Sequence, residues 1–116
     1  SIRRQRQMCI RDRVLLNLLV NAGQATPDAG LIDVAVTRSD GNVDVSVTDT
    51  GTGVPVALRE RIFEPFFTTK PVGQGVGLGL ALARRIVTSA GGSLHCDAAA
   101  SGGARFVMRL PMERAA

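Results

Sequence analysis

The chain has 116 residues, a formal net charge of +4, 45% hydrophobic and 21% charged residues, a composition that suits one small globular domain and excludes a disordered chain. No apolar run approaches the ~20 residues that a membrane-spanning helix needs. Two cysteines, Cys9 and Cys96, stand far apart without CxxC or Cys/His ligand spacing, which argues against a disulfide scaffold or a structural zinc site and suits a reducing, cytoplasmic setting.

The net charge is local. Arg3, Arg4, Arg6, Arg11 and Arg13 against Asp12 account for all of it, leaving nine basic and nine acidic residues beyond position 13. A solvated tail is therefore read in preference to a phosphate-binding arm. With no Trp or Tyr, and only Phe63, Phe66, Phe67 and Phe106 as aromatics, there is no stacking platform for single strands, and no nucleic-acid partner is expected. The run Gln7 to Arg13 back-translates as CAG ATG TGT ATA AGA GAC AGR, the end sequence of a sequencing transposon. Residues 1–13 are accordingly read as a translated adapter, a non-native or disordered tail, and the domain as 14–116.

Val14, Leu15, Leu16, Leu18, Leu19, Val20 and Ala22 predict a helix that ends in the region from Gly23 to Pro27, where breakers stand. Asn17 and Asn21 interrupt it four residues apart, hence on one face, and each amide needs partners for a donor and an acceptor. Their plainer reading is a pair of satisfied polar residues at a helix edge.

Two runs of period two follow: Ile32, Val34 and Val36, then Val43, Val45 and Val47, with Ser39-Asp40-Gly41 between them, the pattern of an antiparallel hairpin. The second strand runs into Asp49-Thr50-Gly51-Thr52-Gly53-Val54-Pro55. An acid at a strand end beside two glycines suits a backbone that approaches a ligand closely, although an ordinary Asp-capped turn has the same letters.

A short helical stretch near Val56 to Ile62 leads to Phe63-Glu64-Pro65-Phe66-Phe67-Thr68-Thr69-Lys70-Pro71. The clustered phenylalanines are either a hydrophobic anchor, with at least one in the core, or an exposed recognition patch. Lys70, the one lysine of the chain, is a candidate point charge for phosphate or an ordinary surface residue. Gly73-Gln74-Gly75-Val76-Gly77-Leu78-Gly79-Leu80 then runs into a helix through Val87 that ends at Gly91-Gly92. Glycines before a helix offer bare amides to an anion, yet the spacing fits neither a Rossmann nor a P-loop signature, and a plain flexible loop stays open. Two final strands, near Ser93 to Asp97 and Ala104 to Leu110, flank a turn-rich stretch at 98–103, with His95 read as a strand surface residue.

Taken in order, NLLVNAGQA, DTGTGVP, IFEPFFTTK, GVGLGLALARRIV and GGARFVMRLP resemble the asparagine box, first glycine box, phenylalanine box, second glycine box and closing strand of the ATP-binding domain of sensor histidine kinases. The match spans about residues 14–111 and looks most like the nitrogen-regulator type. The resemblance implies an α/β (α+β) two-layer sandwich, the Bergerat fold shared with gyrase, heat-shock ATPase chaperones and mismatch-repair ATPases. Its sheet would be mixed and mostly antiparallel, with about three helices on one face.

By motif position, Asp49 would bind the adenine amino group and Gly51 and Gly53 would shape its pocket. Asn21 would hold the Mg2+ that accompanies ATP, and Asn17 would support it. Thr68, Thr69 and Lys70 would form the hinge of a lid, while Gly75, Val76, Gly77, Leu78 and Gly79 would bring amides to the phosphates. The resemblance implies transfer of the γ-phosphate to a histidine on a separate dimerisation domain that this chain lacks, so the chain alone would not autophosphorylate. A response regulator receiver domain is the implied partner, in the cytoplasm or on the cytoplasmic part of a membrane-bound sensor. Asn17 stands where gyrase and chaperone relatives carry a water-activating glutamate, and an amide cannot act as that base. Gly103-Ala104 replaces the usual Gly-Thr, and a strand expected before the asparagine helix is missing, as in an N-terminally truncated domain. An anti-sigma-type serine kinase, and a non-catalytic ATP-sensing module that docks through Phe63 to Phe67, are the competing readings.

Overall fold

The computed structural model describes residues 2–25, 30–65, 79–100 and 102–111, with the side chains of the first helix described from 11 to 23. Helix α1 (Ile2–Ala25) is followed by β1 (Ile32–Ser39), β2 (Asn42–Asp49), two 3-10 turns (Val56–Leu58 and Arg61–Phe63), α2 (Gly79–Ser89), β3 (Ser93–Ala98) and β4 (Ala104–Pro111). The strands form one sheet in the order β1-β2-β4-β3, with every neighbouring pair antiparallel. The expected sheet was mixed and mostly antiparallel, and among the described strands every neighbouring pair is antiparallel. Among the described residues two α-helices and two 3-10 turns stand beside the expectation of about three helices.

α1 starts at Ile2, ahead of the expected start at Val14. The segment preceding Val14 holds Arg, Gln and Met and no Gly or Pro, so helix propensity carries straight through it, and residues 2–13 continue α1. Further along α1, Val14, Leu18 and Ala22 are fully buried, an i, i+4, i+8 stripe turned to the sheet. Leu16 and Val20 stay 62% and 52% exposed, because a single helix on a sheet can bury only one side.

The β1–β2 hairpin closes on Asp40 and Gly41, whose φ values of 41° and 81° are both positive, as a two-residue turn that follows strand twist requires. The register pairs Val34 with Val47 and Val36 with Val45, and carries on to Phe106 and Met108 in β4 and to Cys96 and Leu94 in β3. Two rows of apolar side chains thus cross the sheet on its helix-covered face. Phe106, Met108, Leu94 and Val47 are buried within them, each contributing roughly 1.5–3 kcal/mol of transfer free energy.

β1 behaves differently, being exposed along its whole length. At one of the sheet's two edges it lies outside the helix layer that covers the other strands, so Ile32, Val34 and Val36 keep 39%, 43% and 60% of their surface. Among the described residues no strand pairs with its other edge. Among the described residues no helix is long and apolar enough to cross a membrane.

Candidate functional site

The last residue of β2 is Asp49, a carboxylate only 1% exposed. A buried charge needs hydrogen bonds, and the fold supplies them from the backbone. Asp49 Oδ1 accepts one from the Gly51 N–H at 2.9 Å and one from the Ala104 N–H at 3.2 Å. The first shapes the turn after the strand, and the second ties it to the start of β4. Thr50 completes the anchoring: its N–H donates to the Leu31 carbonyl at 3.2 Å and its Oγ1 accepts from the Leu31 N–H at 2.9 Å.

Glycine is required here by closeness. A Cβ on Gly103 would stand 2.0 Å from the Asp49 carbonyl oxygen and 2.7 Å from its Oδ1, and a Cβ on Gly53, whose φ is 76°, would stand 2.7 Å from the Gly102 carbonyl oxygen. The turns at 49–53 and 102–104 are therefore pressed together backbone to backbone. Gly51 contributes its amide. Gly102, Gly103 and Ala104 were read in sequence as a turn, a strand start and part of the closing-strand motif, not as partners of Asp49; the signal was the pair of glycines directly ahead of a strand.

The Ala104 position, where a threonine was expected, holds its contact to Asp49 through the main chain, so the missing hydroxyl does not remove it. After Gly53 the chain is held by Arg59, whose Nε donates to the Val54 carbonyl at 3.2 Å. It then enters the two 3-10 turns, where the sequence predicted a short helical stretch.

Asn17 and Asn21 lie on α1 beside the buried stripe of Val14, Leu18 and Ala22, both half-buried. α1 packs on β2 and on α2, which sets the helix bearing the two amides against the strand ending in Asp49. Gly79 is the first residue of α2, with open space where its Cβ would be. Phe66, Phe67, Thr68, Thr69, Lys70, Gly75, Val76, Gly77 and Leu78 lie outside the described residues.

Phe63 is 6% exposed, edge-on to Phe106 at 6.3 Å and 80°. An exposed Phe63–Phe67 docking patch is thereby corrected at its first member, whose ring is spent on the core. His95 is exposed on β3, as a strand surface residue. Among the described residues no group of three or more His, Cys, Asp or Glu could hold a metal ion. A cation here would depend on ligand phosphates and an amide oxygen, the oxygen-rich and partly hydrated coordination that Mg2+ favours.

Residues 11–114 match the family model described as histidine kinase-, DNA gyrase B-, and HSP90-like ATPase. The chain belongs to this family. It is similar to the sensor kinase CckA of Brucella abortus, 40% identical over 86% of this chain and 12% of the relative. It is also similar to the sensor histidine kinase ZraS of Escherichia coli O157:H7, 44% identical over 86% of this chain and 21% of the relative. Among solved structures, the catalytic domain of the histidine kinase ThkA superposes with a TM-score of 0.80 at 38% identity, covering 89% of this chain and 66% of that one. Full-length ShkA in complex with AMPPNP superposes with a TM-score of 0.81 at 37% identity, covering 92% and 22%.

The chain thus spans between 12% and 21% of the length of these curated relatives. It corresponds to the ATP-binding catalytic part of sensor histidine kinases. The narrower nitrogen-regulator type is not distinguished by these relatives.

Proposed function

We propose that this domain binds Mg-ATP with its adenine against Asp49 and its phosphates between α1 and the amino end of α2, and that it supplies the γ-phosphate to a histidine on a separate dimerisation domain. The observation that carries the reading is the buried Asp49 carboxylate, held by the Gly51 and Ala104 amides where two turns approach too closely for a Cβ at Gly53 or Gly103. A fixed acceptor at a strand end, walled by bare backbone, fits a flat ligand carrying an amino group. Gly51 and Gly53 shape that wall.

Asn21 would contribute an amide oxygen to the metal, with Asn17 supporting it. The bound metal ion would neutralise phosphate charge. By their place in the sequence motifs, Thr68, Thr69 and Lys70 are assigned to the hinge of a lid, and Gly75, Val76, Gly77, Leu78 and Gly79 to the phosphate side. Phosphoryl transfer depends on positioning and charge neutralisation more than on covalent help from the protein. Asn17 in place of a carboxylate leaves that position without a base for water, which favours transfer over hydrolysis. The phosphorylated histidine would pass its group to a response regulator receiver domain in the cytoplasm.

Calorimetric titration with ATP, with and without Mg2+, tests the binding half. Saturable, Mg2+-dependent binding that Asp49→Asn weakens is the expected result. Addition of a histidine-bearing domain together with labelled ATP tests the transfer half. Label appearing on the isolated chain would contradict the division of labour.

A further inference from the structure

We propose that Arg84 is a positioning residue that sets α2, and hence its amino end, relative to the adenine side of the site; this rests on the ATP-binding reading above. Arg84 Nη1 donates to Glu60 Oε2 at 2.8 Å and Nη2 to Glu60 Oε1 at 3.5 Å, a forked approach to one carboxylate. The same guanidinium lies over the Phe63 ring, with its central carbon 4.5 Å from the ring centroid. Phe63 in turn meets Phe106 edge-on. Phe106 stands two residues beyond Ala104 on β4, whose amide holds Asp49. One continuous set of contacts therefore runs from α2 through the 3-10 turn to the strand that fixes the buried carboxylate.

The rest of α2 explains why such a tie matters. Its fully buried side chains, Ala83 and Val87, are short, while the longer Leu80 and Ile86 pack against the core only partly buried. Short side chains let the helix lie close to its neighbours but resist sliding along its axis poorly, and a slip of one residue moves a helix by only about 1.5 Å. A planar fork on a carboxylate and a cation over a ring are both directional. Arg84 makes both at once. Its ion pair is a poor global stabiliser, because the Glu60 side chain is 77% exposed and solvent screens such pairs. Orientation is what it can supply.

ATP and adenosine separate the two ends of the site. Adenosine reads the Asp49 end alone, whereas ATP also reads the end that α2 presents to phosphate. Calorimetry with each ligand in Mg2+, together with thermal denaturation, is carried out on the whole chain and on Arg84→Met, Arg84→Lys and the charge exchange Glu60→Arg with Arg84→Glu. The expected result is that Arg84→Met weakens ATP about 10-fold, a change readily resolved in a binding constant, with adenosine affinity and melting temperature nearly unchanged. Arg84→Lys, which keeps the charge but not the fork, falls between, and the charge exchange, which restores the ion pair but not the cation over Phe63, recovers part of the ATP affinity.

Unchanged ATP binding in Arg84→Met overturns the inference, as does a parallel loss of ATP and adenosine with a lowered melting temperature, the mark of a purely structural role. A wild-type chain that is folded and binds neither ligand overturns the nucleotide reading, and this inference with it. Wild-type binding of both ligands beside an unaffected variant overturns the inference alone.

Discussion

The Asp49 carboxylate and the Ala104 amide, 55 residues apart in sequence, are joined by a 3.2 Å hydrogen bond in a buried setting. That bond makes one structure of two turns and gives the candidate site its fixed acceptor. Its consequences divide by substitution. Asp49→Ala strands two backbone donors, which costs about 1–3 kcal/mol of stability. Asp49→Asn keeps a carbonyl oxygen for them and should melt within a few degrees of the wild type. Both should weaken ATP by about 10- to 100-fold, the effect of losing a hydrogen bond to a charged group. Thermal denaturation beside calorimetry separates the two quantities, and an Asp49→Asn chain that binds ATP normally would remove Asp49 from the adenine side.

Gly103 and Gly102 are neighbours with opposite expectations. A Cβ on Gly103 meets the Asp49 backbone at 2.0 Å, which no rotamer change relieves, whereas one on Gly102 meets nothing within 4 Å although φ there is 95°. Gly103→Ala should cost more than about 2 kcal/mol, the range of an overpacked site, and abolish nucleotide binding. Gly102→Ala should cost about 1–2 kcal/mol for its backbone conformation alone and keep binding. Urea denaturation of both variants checks the order; equal costs would show that the two turns are not packed as described.

Burial, the leading cause, pushes the Cys96 thiol from the ordinary 9.0 up to about 11, with Asp97 and Asp49 adding to the rise and Arg59 opposing it. Below pH 9 the thiol is neutral in both folded and unfolded chains and contributes no pH dependence. Between about 9 and 11 the unfolded chain ionises first, so stability falls as pH rises. Cys96→Ala should flatten that alkaline limb in urea titrations at a series of pH values. In a Cys9→Ser background, iodoacetamide should label native Cys96 slowly and unfolded Cys96 fast.

On the outer face of the sheet, Arg109 Nε and Nη2 donate to the two oxygens of Asp44 at 2.8 and 2.9 Å. The hydrogen bond from Arg109, the largest cause, holds the Asp44 carboxyl below its ordinary 3.8. Because the folded value is depressed, the contribution is present above pH 3.8 and is lost as pH falls below it. Asp44→Asn should lessen the loss of stability in acid while changing the neutral melting temperature little, since Arg109 is 52% exposed and its pair is screened. A steeper acid limb in the variant would contradict the assignment.

Much of this architecture was legible from local pattern. Alternating valines flanking Asp40-Gly41 specify the hairpin and its register, since a slip of one residue would turn Val45 and Val47 away from the helices. The apolar helix after Gly79 and its stop at Gly91-Gly92 were likewise readable. The glycines after the strand-end acid were read as a close approach to a ligand or an ordinary Asp-capped turn; the backbone that Gly53 approaches is that of Gly102. The family resemblance rested on the order of five motifs, and the match to residues 11–114 bears it out.

Other features were not read from local pattern. Residues 2–13 were set aside as a tail, although their helix formers and lack of Gly or Pro permit the helix observed. Nothing in the letters of β1 distinguishes it from a buried strand; its exposure follows from being at the sheet edge, outside the helix layer. Phe63, Phe66 and Phe67 look alike in sequence, yet Phe63 is assigned to the core because β4 brings Phe106 to its edge and α2 brings Arg84 to its face. Ala104 carries no functional group at all, and its part in the site is a backbone amide. Sequence by itself determined the elements, the hairpin and the family, because periodicity and turn chemistry act over a few residues. Tertiary structure decided the partners of Asp49, Phe63 and Arg84, because each is made by chain segments whose contact depends on how the sheet is ordered and covered.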